Sequence, residues 1–160
     1  MGSIIAQEVA QWRGPNRDGK YSDTELLKVW PEEGPEMLWH YDDLGLGHGS
    51  AAVTSQGVFT TGTTEDGNGF VVALNHEGAK LWQTEIGKEW MDNFEGTRST
   101  PLVHGDKLYI MSSYGYLACM KTEDGSMVWD VDLFEDYDGI NIKWGVTENL
   151  LIDGDKLFVT

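Results

Sequence analysis

The sequence predicts an all-β protein built from repeated antiparallel hairpins. Three segments share one pattern, an apolar run, a tight polar turn and a second apolar run, and they occupy residues 50–59, 100–109 and 149–158. An aromatic residue stands at the end of each segment, so the pattern recurs about every 50 residues, at Phe59, Tyr109 and Phe158. Glycine beside a polar residue between two apolar runs is typical of a hairpin, because glycine adopts positive φ without a Cβ clash.

A second pattern predicts two further strands in each unit. Residues 73–82 and 119–129 each contain an apolar run, a turn with glycine and a final tryptophan, and residues 34–39 look like an earlier copy. Four short strands in a unit of about 40 to 50 residues is the arrangement of a β-propeller blade. Helices are not predicted, because glycine and aspartate interrupt the chain before any apolar stripe of helical period extends over several turns.

The repeats divide the chain into two parts. Residues 1–35 hold three of the four prolines and are predicted to be an irregular N-terminal segment. Residues 36–160 are predicted to be a partial β-propeller of about three units, at about 48–97, 98–146 and, incomplete, 147–160. Trp82 and Trp129 hold matching positions and are expected to fill the wedge between neighbouring sheets.

Composition excludes several classes of function. The chain has 11 Lys and Arg against 27 Asp and Glu, a formal net charge of −16, so nucleic acid would be repelled. The longest strongly apolar stretch, residues 70–74, is far shorter than the roughly 20 residues of a membrane-spanning helix. Metal binding is not predicted, since the four histidines lack zinc spacing and the scattered carboxylates are interpreted as a solubilising surface. The single cysteine, Cys119, excludes an internal disulfide and is predicted to be buried.

Three other propeller families fit the repeat less well. The Trp129-Asp130 dipeptide is like that of a WD repeat, but it does not recur at Trp39 or Trp82. Kelch repeats are disfavoured because the sequence contains no Gly-Gly pair. Residues 122–129 approach the Asp-box of sialidases, with the glycine one place too early.

The repeat resembles that of the pyrroloquinoline quinone (PQQ)-like, or quinoprotein-like, β-propeller family. Blades of that family carry an Ala-Leu-Asp, Thr-Gly-Lys and Trp pattern, to which residues 73–82 and 119–129 are similar. Residues 11–19 resemble the mature start of exported bacterial PQQ-binding-like repeat proteins. Two departures are a first unit that is one residue short before Trp82, and Lys121 where the pattern prefers an acid.

The resemblance implies a ring of about six to eight blades. The chain is therefore expected to be an N-terminal fragment of a longer protein, with a strand near residues 37–41 that closes the ring against the last blade. The resemblance also implies a periplasmic or secreted location, although this chain has no complete signal peptide.

Candidate binding residues lie in the loops before the innermost strands, because these loops gather on one face of a propeller. One repeat position in these loops holds Gly49, Ser99 and Glu148. A purely architectural role would tend to repeat one residue, so this variation indicates a specific role for the individual side chains. The candidates for cofactor or ligand binding are Arg98, Trp144, Glu148, Trp90 and Asp92. Arg98 and Glu148 are the leading pair, with a purely structural ion pair as their alternative. The tryptophans are candidates for stacking a ring, or for filling the channel mouth.

Two functions are compatible with this sequence. The first is a non-catalytic scaffold or binding module at the cell envelope, like the barrel-assembly lipoprotein that shares this repeat, with a protein partner or a small-molecule or sugar ligand in the channel. The second, implied by the resemblance alone, is part of a PQQ-dependent alcohol dehydrogenase of the polyvinyl-alcohol type, with PQQ and calcium as cofactors. No catalytic residue is identified, and the first hypothesis is favoured.

Overall fold

The structure, a computed structural model, describes residues 9–160 and is nearly all β. Strands make up 38% and helix 3% of it, and the sheets are antiparallel, so the predicted fold class of propeller blades is confirmed. The elements are β1 (Val9–Ala10), β2 (Ala52–Thr54), β3 (Gly57–Thr63), β4 (Asn68–Leu74), β5 (Lys80–Lys88), β6 (Leu102–His104), β7 (Lys107–Met111), β8 (Tyr116–Lys121), β9 (Met127–Asp132), α1 (Leu133–Asp136), β10 (Leu151–Asp153) and β11 (Lys156–Phe158).

The first repeat unit forms a sheet of order β2-β3-β4-β5. Its first hairpin pairs Val53 with Val58, and β3 then runs antiparallel to β4 along its length. Strands β3 and β4 are buried almost throughout, whereas most of β5 is exposed. A strand that is buried on both faces is a continuous apolar run in the sequence, which explains the composition of residues 70–74.

The second unit repeats this order in β6-β7-β8-β9, and the third is represented by the hairpin β10-β11. Gly105 and Gly154 occupy the first turn position of their hairpins, with φ of 61° and 60°. Positive φ at this position matches the right-handed twist of the flanking strands. Cys119 on β8 is buried, as predicted, and burial raises the pKa of its thiol.

The described part of the N-terminal segment joins the second and third units. Strand β1 pairs with β6, with Ala10 opposite Val103, so the second sheet has five strands. Farther along, the Arg17 guanidinium donates to the carbonyl oxygens of Asn149, at 2.7 Å, and Leu150, at 3.1 Å. Because β6 is the first strand of its unit, β1 lies at the edge that borders the channel in a propeller. We refer to residues 9–19 as the N-terminal strap.

The main core lies between the first two sheets. Its buried apolar side chains come from both sheets and from β1, and include Ala10, Phe59, Val71, Ile86, Val103, Leu108, Ile110, Ala118 and Met120. Trp82 on β5 packs against this cluster, with its ring centroid 6.0 Å from that of Phe59. Burial of this area is the main source of stability, since apolar surface contributes about 25 cal/mol per Å² removed from water.

A tryptophan on one sheet also contacts a turn of the next sheet. The Trp82 indole N–H donates to the Thr122 carbonyl at 2.9 Å, and its ring covers Gly125, where a Cβ atom would lie 2.5 Å from the ring. Trp39 repeats this contact one unit earlier, since it donates to the His76 carbonyl at 2.8 Å and covers Gly78. We call this arrangement the tryptophan clasp.

The strand expected near residues 37–41 is not formed. Met37 and Leu38 are exposed, and no strand among residues 9–160 lies beside them to supply hydrogen bonds. A strand is defined by its pairing, so a segment without a partner remains extended but irregular. The clasp of Trp39 nevertheless places this segment where the last strand of a preceding blade would lie.

Candidate functional site

The loops before β2 and β6 are joined along one face of the sheets. The His48 backbone N–H donates to the Thr97 carbonyl at 2.7 Å, and the Thr97 N–H donates to the Thr63 hydroxyl at 3.0 Å. Thr97 is buried, and its hydroxyl accepts a hydrogen bond from the Thr61 hydroxyl at 3.0 Å. These contacts fix the backbone of Thr97, directly before Arg98.

Arg98 connects the loops of the second and third units. One terminal nitrogen of its guanidinium donates to the Trp144 carbonyl at 2.7 Å, and the other donates to the carbonyls of Asn93, at 3.1 Å, and Phe94, at 2.9 Å. Its Cζ atom lies 5.7 Å from the centre of the Trp90 ring. The Nε atom is buried without a hydrogen-bond partner. Three neutral acceptors thus hold the planar guanidinium, and the Nε–H and one terminal N–H of its five donors make no hydrogen bond.

The two candidate tryptophans have different surroundings. The Trp90 ring stacks on Tyr114 with a centroid distance of 6.2 Å, and its indole N–H donates to the Asn93 carbonyl at 3.1 Å. The Trp144 backbone carbonyl accepts from Arg98, the residue is 51% exposed, and its ring centroid lies 4.6 Å from the Lys143 ammonium. Both residues lie at the loop face, but only the Trp90 ring lies against the Arg98 guanidinium.

The two candidate carboxylates are not brought to Arg98. The Glu148 carboxylate accepts a hydrogen bond from the Thr160 hydroxyl at 2.9 Å, and Asp92 is exposed. Within residues 9–160 the two ion pairs are His40–Asp42 and Lys107–Asp106, both on exposed side chains. The structure therefore groups Arg98 with Trp90 and the Trp144 backbone, and it places Glu148 and Asp92 elsewhere on this face.

Glu89 is a buried residue that sequence reasoning missed. Its side chain is 3% exposed, and its carboxylate accepts hydrogen bonds from the Ser113 N–H at 3.0 Å and the Ser113 hydroxyl at 2.6 Å. The Ser113 oxygen in turn accepts from the Trp90 N–H at 2.7 Å. Burial raises the pKa of Glu89, although Ser113 and the Arg98 charge oppose the shift. A glutamate directly after a strand gives no sign of burial in a single sequence.

The raised pKa of Glu89 predicts a pH-dependent effect of Glu89→Gln. The folded state favours the protonated carboxyl, so this group's contribution to stability is present below its ordinary pKa of 4.5 and is lost as the pH rises through the higher folded-state pKa. We expect the free energy of unfolding of the variant minus that of the unmodified protein to become more positive between about pH 4 and about pH 7.5. Urea titrations at both pH values measure this. The exposed Glu123→Gln is the control, and parallel pH profiles for Glu89→Gln and the unmodified protein would contradict the prediction.

A cleft of about 390 Å³ opens on the same face. Residues from all three units and from the N-terminal strap line it, namely Trp12, His48, Phe94, Arg98, Thr100, Thr147 and Asn149. Only Arg98 among them is a candidate from the sequence. Trp12 was missed because its place depends on the pairing of β1 with β6, which no local pattern indicates.

A family model described as "Outer membrane protein assembly factor BamB" matches residues 67–160, which is more than half of the chain. The chain belongs to this family of PQQ-like repeat proteins.

Two curated members of the BamB-like family are similar to this chain. The outer membrane protein assembly factor BamB of Kangiella koreensis is 30% identical over 130 residues, which cover 76% of this chain and 30% of the relative. The protein of the same name from Shewanella oneidensis is 36% identical over 112 residues, which cover 64% of this chain and 28% of the relative. The chain thus spans less than a third of the length of either relative.

The described residues do not fit calcium and PQQ, the cofactors that the quinoprotein resemblance implies for an enzyme. Within residues 9–160 no three His, Cys, Asp or Glu side chains gather as metal ligands. The terminal nitrogens of Arg98 already donate to backbone carbonyls. The Glu148 carboxylate accepts a hydrogen bond from the Thr160 hydroxyl and forms no ion pair with Arg98. Both matched BamB relatives are named as assembly factors. The two relatives therefore support the scaffold hypothesis. They do not support the dehydrogenase hypothesis or a sugar ligand.

Proposed function

We propose that this protein is a non-catalytic β-propeller scaffold of the cell envelope that binds protein partners in outer membrane protein assembly. The family match carries this proposal, since the model and both relatives bear the name of an assembly factor. A periplasmic location is part of the proposal. None of the helices described in residues 9–160 has the length and apolar character to cross a membrane. We also propose the division of the chain into an N-terminal segment, residues 1–35, and propeller units, residues 36–160.

The loop face offers a surface for such a partner. The residues between α1 and β10 expose several large apolar side chains, including Tyr137, Ile140, Ile142 and Trp144. Trp144 is joined to the rest of the face through Arg98, and Tyr114 extends the apolar area by its stacking on Trp90. Exposed apolar side chains in a group are typical of protein interaction sites, and aromatic residues often carry most of the binding energy there.

A binding assay with a charged substitution tests this function. Proteins that co-purify with the Kangiella koreensis relative serve as the binding target, and binding of this chain is followed by surface plasmon resonance. We expect Trp144→Glu and Ile140→Glu each to weaken binding at least about tenfold, because a buried charge at an interface is costly. Arg98 binds the backbone carbonyl of Trp144, which a side-chain replacement keeps.

Val128→Glu is the matched control, since Val128 is an exposed apolar residue on β9, away from the loop face. It should bind like the unmodified protein. Failure of the unmodified chain to bind, or an equal loss in all three variants, would overturn the proposal. Reduction of a dye by the chain with PQQ, calcium and an alcohol would instead favour the dehydrogenase.

A further inference from the structure

The cleft differs in charge from the rest of the molecule. Asp and Glu outnumber Lys and Arg by 27 to 11 in the chain, yet none of the seven residues that line the cleft is acidic. Arg98 supplies a permanent positive charge there, and His48 adds a second nitrogen group. In an acidic protein, a cleft without carboxylates but with an arginine favours anions over cations.

No carboxylate forms an ion pair with Arg98 within the part of the chain that the structure describes, although Glu89 lies close enough for the two charges to attract each other. Its hydrogen bonds go to the carbonyls of residues 93, 94 and 144, and its Nε atom is buried without a partner. Glu89 does not line the cleft, and its Oε2 atom is already occupied by two bonds from Ser113.

The walls of the cleft are held in place before any ligand arrives. Asn149 accepts a hydrogen bond from the Thr100 N–H at 3.0 Å, and its backbone carbonyl accepts from Arg17 at 2.7 Å. Arg17 and the pairing of β1 together fix the strap on either side of Trp12, which forms one aromatic wall. Phe94 forms another, with its backbone carbonyl held by Arg98 at 2.9 Å and its side chain exposed. Preformed walls reduce the entropy that a ligand must lose on binding.

We propose that this cleft binds a small carboxylate with a flat apolar body, with the carboxylate near Arg98 and the body against Trp12 and Phe94. The volume is near the lower end of the roughly 300–1,000 Å³ that small-molecule sites occupy. An arginine pairs well with a carboxylate, and aromatic walls suit a planar group. The cleft opens on the same face as the proposed partner surface, but the side chains of Trp144, Ile140 and Tyr114 do not line it.

The test uses indole-3-acetate as the probe and its neutral amide, indole-3-acetamide, as the matched control ligand. Binding to the full chain is measured by isothermal titration calorimetry at low salt, since screening weakens exposed charge interactions. We expect the carboxylate to bind at least about tenfold more tightly than the amide, because only the carboxylate gains from the Arg98 charge.

The variant is Thr147→Asp, because replacing Arg98 would also release three backbone carbonyls. A carboxylate at this exposed position on the cleft wall should weaken indole-3-acetate binding at least about tenfold by repulsion and leave the weak amide binding unchanged. Thr24→Asp, at an exposed threonine outside the cleft, controls for net charge. Equal affinity for the two ligands, no binding of either, or the same loss in both variants would overturn the proposal. None of these results depends on the binding of a protein partner.

Discussion

Replacing Trp82 with alanine is expected to lower the free energy of unfolding by about 3–5 kcal/mol, the usual cost of removing a large aromatic side chain from a core. Trp82 packs against the core between the first two sheets, and its indole N–H donates across the sheets to the Thr122 carbonyl at 2.9 Å. Alanine would leave both a cavity and an unpaired acceptor. Urea unfolding followed by circular dichroism measures the change.

The control is Trp129→Ala, which changes the same residue at the matching position of the second unit. Trp129 is 39% exposed and contacts Tyr109, with ring centroids 6.1 Å apart. Its replacement should cost only about 1 kcal/mol, a typical value for a partly exposed site. Trp82→Phe should fall between the two, since it keeps most of the ring and loses the hydrogen bond. Equal costs for both alanine variants would show that the tryptophan clasp does not stabilise the chain.

The fold was predictable because its determinants are local. Each hairpin is specified by apolar residues and a glycine turn within about ten residues, as in the Val103–Leu108 pair around Gly105. The repeat then adds a longer-range constraint, since similar units must pack in similar ways. Trp39 departs from this pattern, because it contacts a turn as Trp82 does while its segment forms no strand.

The site was less predictable because it depends on contacts between units. The candidate Arg98 lines the cleft, whereas the carboxylate of Glu148 accepts a hydrogen bond from the Thr160 hydroxyl. Trp12 reaches the cleft only because β1 pairs with a strand about ninety residues later. Ser113 lies in the turn between β7 and β8, and its contact with Glu89 likewise joins two units. A single sequence does not specify which loop side chains meet across a blade boundary.

The second large effect is expected at the glycine beneath the clasp. Gly125 has φ of 70°, and a Cβ atom there would lie 2.5 Å from the Trp82 ring and 2.6 Å from the Thr84 hydroxyl. Gly125→Ala should lower the free energy of unfolding by about 2–5 kcal/mol, because a left-handed backbone costs about 1–2 kcal/mol for alanine and overpacking adds about 1–3 kcal/mol. Denaturant unfolding of the variant measures the sum.

Gly105→Ala separates the two contributions to this cost. Gly105 has φ of 61°, but a Cβ atom there would meet no atom within 4 Å, so its replacement should cost only the backbone part, about 1–2 kcal/mol. In a Trp82→Ala background the ring above Gly125 is gone but the Thr84 hydroxyl remains, so Gly125→Ala should then cost less than in the unmodified protein and more than Gly105→Ala. Full additivity of the Trp82 and Gly125 substitutions would mean that the ring and the glycine do not pack against each other.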